Sequence, residues 1–166
     1  HPTENGFTTD VLALYDWAKA RSGNSSILFW GHSLGTGRSP TACSHPALPS
    51  GVQVDGVILE SSYTNIRDAA AHIPITTVRP GWGSSTPGGP PREVPPSRGR
   101  VLACPLLILH AEDDTVLPPH LGRKLFETAR NAYKDKTKVK FITFPEKLGL
   151  GHDYISFNPE LPMLVK

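Results

Sequence analysis

The chain has 166 residues with a formal net charge of +2, and 38% of its residues are apolar, so it is long enough for one globular domain. Its charges of both signs are interspersed and form no basic stripe, which argues against nucleic acid as a partner. No stretch approaches the roughly 20 apolar residues of a membrane-spanning helix, and neither Cys43 nor Cys104 has histidines at metal-ligand spacing, so no metal is expected.

The first predicted element is an amphipathic helix over residues 11–20. Thr8 or Thr9 is a suitable N-cap, because a threonine hydroxyl can accept a hydrogen bond from an unpaired backbone N–H in the first turn. Gly23 is a suitable stop, since glycine adopts the left-handed conformation that commonly ends a helix. The sequence therefore predicts that one helix precedes the first strand.

A serine between two glycines directly follows the apolar run of residues 27–30. The run predicts a strand, and the sequence GHSLG of residues 31–35 has the G-x-S-x-G pattern of the nucleophile elbow in α/β-hydrolases. Small flanking residues let the strand and the following helix pass close together while the serine holds a strained conformation. The pattern predicts that Ser33 is the nucleophile of an acyl transfer and that the backbone N–H of Leu34 stabilises the oxyanion.

Two proline-rich segments interrupt this pattern. In an α/β-hydrolase a long helix follows the nucleophile, but prolines at positions 40, 46 and 49 do not fit a helix interior, so we expect no more than about one turn there. Residues 74–100 stand where a cap over the active site is expected, and their proline and glycine content cannot bury enough apolar surface to fold. We therefore expect this second segment to lack regular structure.

Acidic residues follow two further predicted strands. Residues 57–59 form a short apolar run that ends at Glu60. Residues 105–109 form a second run, which Asp113 and Asp114 follow, and a carboxylate in this position points into the crevice where α/β sheets bind ligands. We prefer Asp114 as the acid of a triad, because the chain turns just beyond it and a helix can begin at the prolines that follow, whereas Asp113 would face the other way. Glu60 is the alternative acid and otherwise a solvated charge at a strand end.

The base of a hydrolase triad is expected after the last strand. Residues 138–144 alternate polar and apolar side chains as a half-buried edge strand does, and a glycine-containing loop leads from them to His152. His152 therefore fits the base, which would take the proton of Ser33 while Asp114 fixes its tautomer. We expect His110, at a strand end, to pack or hydrogen-bond locally. The remaining histidines fit the base less well: His1, His32, His45, His72 and His120.

Several segments of the chain resemble one family of α/β-hydrolases. They are residues 15–23, 30–37, 59–67 and 104–114, with further similarity at 121–125 and 159–162. The chain resembles the abhydrolase domain-containing protein twelve family over most of its length outside the two proline-rich segments. Carried over position by position, the family's nucleophile falls on Ser33, its acid on Asp114 and its base on His152. These positions agree with those chosen from the residues alone.

The resemblance implies an activity and a location. This family is described as membrane-anchored serine hydrolases that act as lysophosphatidylserine and monoacylglycerol lipases. A lysophospholipid or a monoacylglycerol is therefore the expected substrate, and no cofactor is required. The endoplasmic reticulum membrane is the expected location, with the membrane anchor upstream of this chain.

The sequence thus predicts an α/β-hydrolase fold represented only by the carboxyl-terminal part of its sheet. Such sheets usually have about eight strands and this chain offers roughly four, so residues 1–166 are expected to form one incomplete domain. Two alternatives stay open. A thioesterase or a peptidase could use the same scaffold, because a serine triad specifies acyl transfer and not the acyl group. A catalytically dead fragment that acts only in binding is the other alternative.

Overall fold

The structure is a computed structural model that describes residues 4–36, 53–64, 69, 72 and 104–165. Within these ranges the helices are α1 (Glu4–Ser22), α2 (Pro119–Ala132) and α3 (Leu161–Leu164). The strands are β1 (Leu28–His32), β2 (Gly56–Glu60), β3 (Leu106–Ala111) and β4 (Val139–Phe144). Short 3-10 turns cover Ser33–Thr36, Lys136–Lys138, Glu146–Leu148 and Ile155–Phe157. The predicted segment 74–100, and the prolines at 40, 46 and 49, lie outside the described residues.

The strands of the described residues form one parallel sheet in the order β1-β2-β3-β4. Leu28 pairs with Gly56 at the first junction, and Leu106 pairs with Val139 at the last. Helix α2 lies in the connection from β3 to β4, which is the crossover that parallel neighbours require. Because all strands point the same way, their carboxyl ends meet at one edge of the sheet, where α/β sheets bind ligands.

Two apolar clusters cover the two faces of the sheet. Every residue of β2 is buried, as expected of a strand inside a parallel sheet, and its side chains alternate between the clusters with the two-residue period of a strand. The cluster on the α2 side comprises Val57, Leu59, Leu106, Ile108, Leu125, Ala129, Tyr133 and Val139. The cluster beside α3 comprises Ile58, Leu109, Ala111, Phe144, Leu150, Ile155 and Leu161. These clusters hold the strand ends in fixed positions.

The predicted strands and the helix after the prolines are confirmed. Each of the four predicted strands is present with bounds that differ by at most two residues at either end. Helix α2 begins at Pro119 with Pro118 as its N-cap, because the fixed φ of proline suits the first turn of a helix. Strand β4 is one of the two outer strands of the described sheet and is half-buried, as its alternating sequence predicts.

The prediction for α1 is wrong in two respects. The helix begins at Glu4 and not after Thr8 or Thr9, because a threonine can also continue a helix. The helix also does not bury one apolar face, as an amphipathic helix does. Tyr15 is the only buried side chain among those of α1 that the structure describes. Gly23 ends the helix with a φ of 54°, as predicted.

One tyrosine connects α1 to the sheet. The Tyr15 hydroxyl donates to the carbonyl of Gln53 at 2.9 Å and accepts from the N–H of Gln53 at 3.0 Å. The Tyr15 ring meets Phe29 of β1 edge to face, with 6.2 Å between ring centroids. Leu14 and Trp17 are 66% and 59% exposed, so much of the apolar surface of α1 is open to solvent. None of the described helices has both the length and the apolar character needed to cross a bilayer.

Candidate active site

Ser33 lies at a sharp turn directly after β1. Its φ is 49°, a left-handed conformation that costs a non-glycine residue about 1–3 kcal/mol. A Cβ at Gly31 would lie 3.1 Å from the carbonyl oxygen of Gly35. The backbones of the strand and the turn are therefore so close together that glycine is favoured at this position. The Thr36 hydroxyl donates to the Ser33 carbonyl and closes the turn. Leu34 is the next residue of this turn, so its backbone N–H follows the serine directly, as the elbow pattern requires.

Ser33, His152 and Asp114 form one hydrogen-bonded chain. The Ser33 hydroxyl donates to Nε2 of His152 over 2.9 Å, and Nδ1 of His152 donates to Oδ2 of Asp114 over 2.9 Å. We assign the tautomer from this network, because an ionised carboxylate only accepts and Nδ1 must therefore carry the proton. The structure thus brings together the three residues chosen from the sequence.

Asp114 is buried and surrounded by donors. Its Oδ1 accepts from the backbone N–H groups of Val116 and Leu117 at 2.9 and 2.8 Å. Burial alone would raise the pKa of Asp114. Hydrogen bonds from His110, His152 and Leu117 outweigh burial and hold the pKa of this carboxyl well below its usual range. Asp114 is therefore ionised at every pH at which His152 can act as a base.

The imidazole of His152 has a raised pKa. The hydrogen bond with Asp114 is the largest cause, and burial opposes it. The negative charges of Asp114 and Asp153 raise the pKa further. A raised pKa makes His152 a stronger base towards the Ser33 hydroxyl, and it also keeps the ring protonated up to a higher pH.

The two alternative acids do not bond to this imidazole in the described residues. Asp113 instead accepts the backbone N–H of Gly151 at its Oδ2, at 2.9 Å. Glu60 is only 6% exposed, so its interpretation as a solvated charge is wrong. Glu60 lies two residues after Ile58 in β2, so its side chain is on the face of the sheet that carries the cluster beside α3. Burial raises the pKa of Glu60, while His32 and a hydrogen bond with Trp30 oppose that rise.

Sequence reasoning missed the approach of His110 to the acid. The His110 ring is fully buried; its Nε2 donates to the Leu117 carbonyl at 2.7 Å and lies 3.4 Å from Oδ2 of Asp114. A Cβ at Gly122 of α2 would lie 2.4 Å from Nδ1 of His110, so glycine there makes room for the ring. The bond to Leu117 is the local contact predicted for His110. The four-residue spacing from Asp114 is the signal that could have indicated the second contact.

The backbone of His152 receives two further hydrogen bonds that the sequence did not predict. Nε2 of His32 donates to the carbonyl oxygen of His152 at 2.8 Å, and the Ser61 hydroxyl donates to the same oxygen at 3.1 Å. His32 ends β1 and Ser61 follows β2, and these strands are neighbours in the sheet. The position of His32 directly before Ser33 is the only sequence signal for this contact.

One group of side chains in the described residues brings potential metal ligands together. Ligand atoms of His32, His152 and Asp153 lie within 4.8 Å of one another. Nε2 of His32 already donates to a carbonyl, and both ring nitrogens of His152 have hydrogen-bond partners. These imidazoles therefore serve as hydrogen-bonding groups in this conformation. The expectation that no metal is bound stays a prediction.

No family model matches the chain. Among curated proteins the chain is similar to lysophosphatidylserine lipase ABHD12 of Rattus norvegicus, with 41% identity over 178 residues, 99% of this chain and 43% of that protein. It is also similar to protein ABHD12B of Homo sapiens, with 38% identity over 172 residues, 99% of this chain and 47% of that protein. The chain spans less than half the length of these relatives. The family resemblance predicted from the sequence is confirmed.

Solved structures show the fold. The chain is similar to Est1E from Butyrivibrio proteoclasticus, with a TM-score of 0.55 and 19% identity over 98% of this chain and 66% of that one. It is also similar to a puromycin-hydrolyzing peptidase of Mycobacterium tuberculosis, with a TM-score of 0.55 and 18% identity over 89% of this chain and 22% of that one. At these identities the likeness concerns the fold alone. With the parallel sheet and the elbow, it confirms a partial α/β-hydrolase fold.

Proposed function

We propose that this chain carries the catalytic site of a serine hydrolase that cleaves carboxylic esters of lipids. The observation that carries the proposal is the hydrogen-bonded chain from Ser33 through His152 to Asp114. A serine hydroxyl is a weak nucleophile, and a histidine placed to accept its proton activates it. The chain of bonds lies at the carboxyl edge of a parallel sheet, which is the usual location of ligand sites in α/β folds.

The first step is attack of the serine on the ester carbonyl, which forms a tetrahedral intermediate. Ser33 Oγ attacks the carbonyl carbon of the ester while its proton passes to Nε2 of His152. Asp114 stabilises the imidazolium ion, because its carboxylate is ionised and bonded to Nδ1. The former carbonyl oxygen becomes an oxyanion, and the backbone N–H of Leu34 is the donor that we propose for it.

The two products are released in separate steps, first the alcohol and then the fatty acid. The bond between the acyl carbon and the alcohol oxygen breaks, and His152 returns the proton to the departing alcohol. The acyl group is then on Ser33. A water molecule attacks this acyl ester with His152 again as base, which releases the fatty acid and restores the hydroxyl. Every proton moves among these groups and water, so the reaction requires no cofactor.

The proposed substrate is a lysophospholipid or a monoacylglycerol. Support comes from the similarity of 99% of this chain to relatives at 38% and 41% identity, one of which is named a lysophosphatidylserine lipase. The triad itself does not select the acyl group, so a thioesterase or a peptidase would use the same three residues. Association with the endoplasmic reticulum membrane belongs to the proposal on the same family resemblance.

A substrate panel tests the proposal. The chain replaces the matching 178 residues of the rat relative. This joined chain is assayed with lysophosphatidylserine, a monoacylglycerol, an acyl thioester and a peptide anilide. We expect turnover of the two lipid esters that Ser33→Ala reduces to background, while Ser25→Ala in the exposed loop before β1 has no effect. Preferential turnover of the thioester or anilide would replace the lipase proposal. A folded but wholly inactive protein would leave only a binding role.

A further inference from the structure

We propose that His32 and Ser61 are positioning residues that hold the base of the reaction by its backbone carbonyl. This inference rests on the proposed function, because it takes His152 as the base. It goes beyond that function by naming how the base is kept at bonding distance from the nucleophile. Neither residue touches the reacting atoms through its side chain.

The carbonyl oxygen of His152 accepts hydrogen bonds from two side chains, those of His32 and Ser61. A carbonyl oxygen has two lone pairs, and here they accept from Nε2 of His32 at 2.8 Å and from Oγ of Ser61 at 3.1 Å. The two donors come from the ends of adjacent strands, which the sheet and its clusters hold rigidly. The carbonyl of His152 is therefore fixed to the sheet although the residue itself lies in a loop.

The loop that carries His152 needs contacts with the rest of the fold to fix its conformation. Gly149 and Gly151 both have left-handed φ values, of 62° and 52°, and glycine loses the most conformational freedom when it is fixed. Local backbone stiffness therefore does not determine where His152 lies. Before His152, the N–H of Gly151 donates to Asp113 at 2.9 Å. At His152 itself, the carbonyl oxygen accepts from His32 and Ser61. These contacts fix the backbone of the loop.

Ser61 occupies a conformation that makes its contact possible. Its φ is 46°, so it is one of two non-glycine residues with a positive φ in the described residues, and Ser33 is the other. Such a conformation costs about 1–3 kcal/mol and persists only where surrounding contacts determine it. Ser61 is also fully buried, so its hydroxyl makes this bond away from competing water.

His32 connects the base directly to the nucleophile. It is covalently bonded to Ser33, so the contact from its ring to His152 closes a short path between the two reacting side chains. The groups that face its ring are Glu60, Asp153 with Oδ1 at 3.8 Å from Nε2, and the His152 ring with 5.0 Å between centroids. Nε2 carries a proton in both the donating neutral tautomer and the charged ring, so the contact does not depend on the charge of His32.

The expected consequence is a loss in kcat without a loss in binding. Misplacing a catalytic group by about 1 Å can cost 100-fold in rate, and removing one of two donors allows part of that movement, so we expect about a 10-fold loss for each single variant. KM should change less than twofold, since neither side chain binds substrate. A double variant that lacks both the His32 and the Ser61 donor loses the whole contact, and we expect its kcat to fall by close to 100-fold.

The experiment uses four single variants of the joined chain described above, together with the double variant of Ser61→Ala and His32→Leu. Ser61→Ala removes one donor, and Ser62→Ala is its matched control, because Ser62 is the next residue, is equally buried and has a hydroxyl without a hydrogen-bond partner among the described residues. His32→Leu removes the other donor. His32→Gln is the conservative variant, because its Nε2 can donate from a similar position. The measurements are kcat, KM and the rate of fluorophosphonate labelling.

We expect kcat and the labelling rate to fall with Ser61→Ala and His32→Leu, and to be largely retained with Ser62→Ala and His32→Gln. Equal effects of Ser61→Ala and Ser62→Ala, or of His32→Leu and His32→Gln, would overturn the inference while leaving an active parent enzyme. An unmutated protein that neither turns over esters nor reacts with the probe would instead overturn the proposed function. Losses confined to KM would also contradict a positioning role.

Discussion

Replacement of Asp114 by asparagine preserves the size of the side chain and changes what it can accept. One carboxylate oxygen of Asp114 accepts from the N–H groups of Val116 and Leu117 at 2.9 and 2.8 Å, and the other accepts from Nδ1 of His152 at 2.9 Å. An amide has one accepting oxygen, so it can accept either from the two backbone N–H groups or from Nδ1 of His152, and not from both. The orientation with oxygen towards the two N–H groups keeps more bonds and is therefore favoured.

That orientation reverses the role of the imidazole. The amide NH2 group then faces Nδ1 of His152, which must become an acceptor, and the ring proton moves to Nε2. A protonated Nε2 cannot take the proton of Ser33. The same wrong tautomer, produced by the corresponding substitution in serine proteases, lowers kcat by about 10⁴-fold, or about 5 kcal/mol of barrier. We expect a loss of that order for Asp114→Asn.

The assay is kcat for ester hydrolysis by the joined chain, with Asp113→Asn as the matched control. The Asp113 carboxylate accepts only from Gly151 among its described contacts, and an amide oxygen can still accept that N–H, so we expect less than about a 10-fold loss. A larger loss from Asp113→Asn than from Asp114→Asn would refute the reasoning. A dominant loss from Glu60→Gln would refute it as well and would place the acid at the end of β2.

Three further predictions concern the base, the packing and the sheet edge. Since a neutral imidazole is needed, kcat/KM should be full above the raised pKa of His152 and lost as pH falls through it. The acid limb of the profile should therefore lie above the ordinary histidine value of 6.5, and a limb below 6.5 would contradict this. Gly122→Ala should destabilise the fold by about 1–3 kcal/mol in urea unfolding, because the new Cβ would lie 2.4 Å from His110; an unchanged midpoint would contradict that packing. The chain alone should self-associate through the outer strand β1 of the described sheet, where Leu28 and Trp30 are 47% and 48% exposed. Leu28→Lys combined with Trp30→Glu should shift it towards monomer in sizing chromatography, and an unchanged profile would exclude this edge.

The strands were predictable because their signal is local. Every residue of β2 is buried, so its continuous apolar run in the sequence marks the element directly. The start of α1 was not predictable in the same way, since a threonine is compatible with both a cap and a helix interior. The packing of α1 was also misjudged. Its apolar residues Leu14 and Trp17 are exposed, and the sequence pattern alone does not show which surface a helix meets.

In the candidate site, too, the residues that follow a local sequence pattern were predictable, and the contacts between distant residues were not. Ser33, Asp114 and His152 could be chosen from the sequence because each follows a recognisable strand and because their order along the chain is that of one fold family. The contacts of His32 and Ser61 with the His152 carbonyl span 120 and 91 residues of sequence. No local pattern encodes which backbone group a side chain will meet across such a distance, so only the folded sheet reveals them.

The most direct test of the central claim is to identify the serine that reacts with a fluorophosphonate probe. The joined chain is labelled, digested and analysed by mass spectrometry, alone and as Ser33→Ala. We predict that the adduct lies on Ser33, that Ser33→Ala abolishes it, and that Asp114→Asn slows its formation, because only an activated hydroxyl reacts rapidly. An adduct on another serine, or undiminished labelling of Ser33→Ala, would contradict the assignment of Ser33 as the nucleophile.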